Sequence, residues 1–82
     1  MQDKINKYDA EGNRHGLWIV YHNGVLDYKG EYFHGKRHGS WTEYWDKDII
    51  WYKGTYKNDK LFGYLIEYTT KGNLISKRFY AN

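Results

Sequence analysis

Few residues of this chain are suited to chemistry. Four histidines, His15, His22, His34 and His38, and the carboxylate pair Asp46 and Asp48 are the candidates. A zinc centre needs three or four converging N, S or O donors, and with no Cys in the chain the histidines would have to supply most of them. His15 and His38 occupy equivalent places in a repeat whose third copy has Phe62, so an apolar ring serves there equally well. They read as turn residues, and His22 and His34 as solvated residues beside turns. Asp46 and Asp48 flank Lys47 in a hairpin loop, where Asp bonds nearby backbone and tolerates left-handed geometry. No Ser, His and Asp arrangement is visible, and every Gly has a place in the repeat, which leaves none for a phosphate-cradling loop. The expectation is a protein that is no enzyme and carries no metal or cofactor.

Binding is better provided for. Trp18, Trp41, Trp45 and Trp51, with Lys29, Lys53 and Lys57, are the candidate partner-binding residues. Trp and Tyr lead the residues that dominate binding energy. A lone surface Trp needs no explanation, since a Lys stem can lie across it in a cation-π contact of about 0.5–1 kcal/mol. A contiguous row of rings is different, because such a patch marks an interaction site.

The elements that position these residues follow from a repeat. Tyr8, Tyr32, Tyr56 and Tyr80 are spaced by 24, 24 and 24 residues, and Gly16, Gly39 and Gly63 by 23 and 24. A fixed period of this length is the mark of a repeat architecture. Each unit holds a short segment (Gly16, Trp18, Tyr21; Gly39, Trp41, Tyr44; Gly63, Leu65, Tyr68) and a longer one (Leu26, Tyr28, Gly30, Tyr32; Ile50, Tyr52, Gly54, Tyr56; Leu74, Ser76, Arg78, Tyr80). The third copy has lost Trp and the strand Gly, as terminal repeats do. The boundaries are a partial leading unit over 1–11 and repeats over about 12–34, 35–58 and 59–82 of a single domain.

Side chains alternate with period two, which predicts strands and no helix. Asn23-Gly24 suits a type I′ hairpin turn. A regular ladder from that turn pairs His22 with Val25, Tyr21 with Leu26, Ile19 with Tyr28 and Leu17 with Gly30. That register sets Trp18 opposite Lys29, Trp41 opposite Lys53 and Leu65 opposite Lys77, on the face away from the tyrosines. Loops of three residues ending at Asp48 and Gly72 would keep the later units in the same register. Gly30 and Gly54 fall inside strands, where a close backbone or an overlying aromatic is expected; the other seven Gly are assigned to turns.

Composition agrees. Aromatics make up 21% of the 82 residues, enough to build an efficient core in so short a chain. Charge at 28% with 40% hydrophobic content excludes a disordered chain. No run approaches the ~20 apolar residues that span a bilayer, and Met1 to Ala10 has no secretory apolar run, so no membrane insertion and a cytoplasmic location are expected. The net charge of +3 is a mild bias, short of that of a dedicated nucleic-acid binder.

The run Gly-Lys-Arg-His-Gly-x-Trp-x-x-Tyr from Gly35 to Tyr44, followed by Tyr52-x-Gly54-x-Tyr56, resembles the MORN repeat, and most closely the bacterial YwqK-type variant. The resemblance spans about residues 8–80. It implies an all-β, single-layer twisted antiparallel meander of tandem hairpins with about 6–7 strands. It also implies binding rather than catalysis, because proteins similar to YwqK are described as antitoxin-like. The leading expectation is a small module, bacterial or phage-encoded, that engages and inhibits a partner protein through an aromatic-rich face. The alternatives are single-stranded nucleic acid, or an enzyme handling it, bound through stacked rings and Lys, and a scaffold that self-assembles, as a homodimer by edge-strand pairing or at a membrane.

Overall fold

The computed structural model describes residues 5–46 and 48–81. It is all-β: β1 (Lys7–Tyr8), β2 (Arg14–His22), β3 (Val25–Phe33), β4 (Lys36–Asp46), β5 (Ile49–Lys57), β6 (Lys60–Leu61), β7 (Gly63–Tyr68) and β8 (Leu74–Tyr80). Every pairing is antiparallel, and the strands run in order β1-β2-β3-β4-β5-β7-β8, with β6 paired to β5. Among the described residues, eight strands, two of them only two residues long, therefore form one open meander without a helix.

The turns obey their residues. Asn23 (φ +53°) and Gly24 (φ +77°) both take the left-handed conformation that a type I′ turn requires. Tyr44 keeps its expected partner Ile50, but Asp46 pairs with Ile49, so the three-residue loop expected over 46–48, of which Lys47 lies outside the described residues, is one residue shorter at its tip. The third hairpin has the three-residue loop expected to end at Gly72: Tyr68 pairs with Leu74, the Thr69 N–H donates to Asn73 O, and the Thr69 hydroxyl accepts the N–H groups of Lys71 and Asn73. Gly16 and Gly39, assigned to turns from sequence, instead lie inside β2 and β4, and Gly63 opens β7, with φ of +86°, +109° and +87°. His15 and His38 are accordingly strand residues as well.

Register is the main correction. Beyond Tyr21 and Leu26 the ladder shifts, and Val20 pairs with Tyr28, Trp18 with Gly30 and Gly16 with Tyr32. Asp27 is the extra residue of a β-bulge, and a slip of one residue moves every later side chain of a strand to the other face. The same shift after Glu43 sets Trp41 opposite Gly54, and one after Glu67 sets Leu65 opposite Arg78. The tryptophans of the Gly-x-Trp segments thus share a face with the tyrosines.

That shared face is the core. Trp18 (7% exposed), Trp41 (4%), Tyr56 and Leu65 are its buried members. Rings run along the sheet from Tyr8 to Trp18, Tyr32, Trp41 and Tyr56 at centroid distances of 5.2, 6.2, 5.4 and 5.8 Å, and Tyr28 stacks on Trp41. Edge-to-face packing of this kind adds roughly 0.5–1.5 kcal/mol per pair to the area buried. Two arginines cover the ladder: Arg14 lies 4.4 Å from the Trp18 ring and Arg37 4.3 Å from that of Tyr56. Polar tips are matched too, for Trp18 Nε1 donates to Lys7 O, and both Trp41 Nε1 and the Tyr52 hydroxyl donate to Glu43.

Candidate functional site

With the aromatic ladder on one face, no second layer of described residues lies over the opposite face. Cross-strand partners share a face, so the ladder itself gives that face's central row: Ile19, Lys29, Thr42, Lys53, Ile66 and Lys77 stand successively opposite one another. Alternation adds Ser40, Thr55, Tyr64 and Phe79 in the next row. Tyr64 and Phe79 form an edge-to-face pair at 5.0 Å and stay 54% and 62% exposed. Lys77 Nζ lies 4.6 Å from the Tyr64 ring, and Lys57 Nζ 5.5 Å from that of Phe62.

From β4 to β8 lysines and acids are sorted between the faces, while Arg37 and Arg78 stand on the core face and Glu31 of β3 on the open one. From β4 to β8 the open face carries Lys36, Lys53, Lys57, Lys60 and Lys77. Of the three acids in those strands, Glu43 and Glu67 stand on the core face with Tyr52 and Ser76, and Asp46 closes a hairpin tip opposite Ile49. A net charge of only +3 conceals a half-face that is wholly basic between the turns. At its centre is a shallow groove of about 330 Å³, lined by Lys53, by the hydroxyl-bearing Ser40, Thr42 and Thr55, and by Tyr64 and Ile66 together with Trp41 and Gly54. It opens where β7 leaves β5: Lys53 pairs with Ile66, while Thr55 O accepts from Phe62 N instead of continuing the ladder with β7.

The candidates named from sequence divide accordingly. Trp18 and Trp41 are core residues and offer a partner little surface. Lys29 and Lys53 face Ile19, Thr42 and Ile66 rather than Trp rings, and with Lys57 they belong to the open face. Trp45 and Trp51 are exposed and in contact at 4.9 Å, and Trp45 Nε1 donates to Tyr68 O. Sequence reasoning missed Tyr64, Phe79, Ile66 and the three hydroxyl residues. The 24-residue recurrence of Lys29, Lys53 and Lys77 was the signal available for the row they flank.

Two of the histidines, His15 and His34, brace the turn that carries Asp9. His34 Nδ1 lies 2.6 Å from Asp9 Oδ2, and His15 Nδ1 accepts from the His34 N–H. Asp9 Oδ1 also accepts from the N–H groups of Glu11 and Asn13. The His34 bond, followed by that from Asn13, lowers the Asp9 carboxyl to about 2. On the core face, burial and the bond to Glu43 push the Tyr52 phenol well above its ordinary value. No group of three or more His, Asp or Glu suited to a metal ion occurs among the described residues.

Fold and site together define an all-β hairpin meander with one aromatic, packed face and one open, basic face. Compared with known proteins, the chain matches no family model, no curated protein and no solved structure.

Proposed function

We propose that the chain is a small, non-catalytic binding module of the MORN-like, antitoxin-like kind, which engages a partner protein through its open face and inhibits it by occupying a functional surface. The observation that carries this reading is the uncovered half-face on β4 to β8, where exposed Tyr64 and Phe79 stand among lysines. Exposed apolar residues gathered on one surface mark an interaction site, and aromatic rings supply most of the energy in such contacts.

Capture of a partner with tagged protein tests it. A Tyr64→Ala, Phe79→Ala double variant should stay folded, because both rings are more than half exposed, and should lose the captured protein. Retention of full binding by the folded double variant would move the contact elsewhere.

The lysines favour a second reading, single-stranded nucleic acid. Base stacking on exposed rings is worth about 1–3 kcal/mol per base, and such binding weakens steeply with salt. Nuclease treatment during capture separates the two readings.

A further inference from the structure

The order of side chains along the open face says what kind of partner surface suits it. Ile66 stands between Lys53 and Lys77, Thr42 between Lys29 and Lys53, and Ile19 beside Lys29, so each cation is separated from the next by an uncharged side chain that is aliphatic at Ile66. Adjacent strands lie about 4.8 Å apart, which separates Lys53 from Lys77 by roughly 10 Å with an apolar gap between. A sugar-phosphate chain crossing this row would press charged groups against Ile66. A protein surface alternating acidic and apolar side chains would match the stretch from Lys53 through Ile66 to Lys77.

The groove at Lys53 sharpens this. The hydroxyls of Ser40, Thr42 and Thr55 make no hydrogen bond to another described residue, and they border the groove beside the Lys53 ammonium. That ammonium lies 6.0 Å from the Tyr68 ring centroid, at the outer limit of a cation-π contact. One cation with three free donors is a receptor for an anion, and the wall of Tyr64 and Ile66 adds an apolar contact beside it. A charge-assisted hydrogen bond to a carboxylate is roughly twice as strong as a neutral one.

We propose that this half-face recognises an acidic, apolar-bearing segment of a partner protein, with a carboxylate seated at Lys53 and apolar side chains over Ile66 and Phe79. The inference rests on the protein-binding reading given above and specifies its chemistry.

The test uses the full chain, amide NMR spectra and three probes: a peptide alternating Glu and Leu, the same peptide with Gln for Glu, and a thymidine oligonucleotide. The Glu-Leu peptide should shift the amides of Lys53, Thr55, Ile66 and Lys77 and bind about tenfold or more tightly than the Gln peptide, a difference of about 1.4 kcal/mol. Lys53→Glu, at an exposed site, should keep the folded spectrum and lose that preference, whereas Lys53→Met should lose it while still binding the Gln peptide. Equal binding of the two peptides overturns the acidic specificity. A shift of the same amides by the oligonucleotide alone, or by no probe, overturns the proposal. If Tyr64→Ala, Phe79→Ala abolishes partner capture while the two peptides bind equally, the protein-binding reading survives and only its chemistry fails.

Discussion

Gly30 shows how closely single residues are fitted to this sheet. A Cβ built there would fall inside the Trp41 indole, which is buried and stacked on Tyr28 and so has nowhere to move. Gly30→Ala should cost about 1–3 kcal/mol, typical of overpacking, read as a lower midpoint in urea. At Gly54 the added carbon would meet Leu65 Cδ1 at 3.2 Å and Tyr64 O at 3.3 Å, so Gly54→Ala should cost less. Sequence foresaw something lying over these two glycines, since a strand Gly asks for it. Asp9 provides a titration at the same scale. Its carboxyl is lowered from 3.8 to about 2, so it stabilises the folded state above its unfolded value and loses that contribution as pH falls through the folded one. Asp59 shares the sign, lowered by the Arg37 N–H and then by the guanidinium. The thermal midpoint should therefore drop between about pH 4 and pH 2, the window those values define, and drop less steeply in Asp9→Asn.

At the scale of elements, the strands and the first hairpin were legible because alternation and Asn-Gly are local signals. The bulges were not, since nothing local in Val25-Leu26-Asp27 announces that Asp27 will be left out of the ladder. That one residue moved Trp18 from an exposed row to the core, and its counterpart after Glu43 did the same for Trp41. Edges are handled with similar economy. Past the short β1, Asn6 extends the cover of β2: its N–H donates to Leu17 O, its Oδ1 accepts from Ile19 N at 2.8 Å and its Nδ2 donates to Ile19 O. A side-chain amide thus imitates a strand and protects an edge that would otherwise invite pairing. Asn6→Ala should raise hydrogen exchange at the Ile19 amide by tenfold or more, about 1.4 kcal/mol of lost protection, and leave Thr42 in mid-sheet unchanged. Equal protection in both proteins would show that Asn6 does not guard this edge.

At the scale of the whole molecule, one side of a single sheet is packed with aromatic rings, and the other is the side we propose for recognition. The repeat made the meander readable, but it could not say which face was buried, because period two only shows which residues travel together. Total charge was equally silent, because acids and lysines separate only once the register is known. The central claim is that lysines of the open half-face, rather than the core tryptophans, meet the partner. Lysine footprinting of the captured complex tests it most directly, by measuring amine modification with and without the partner. Lys53 and Lys77 should be protected, while Lys71 in the turn after Tyr68 reacts as before. Unchanged modification of Lys53 and Lys77 in a stable complex would contradict the account.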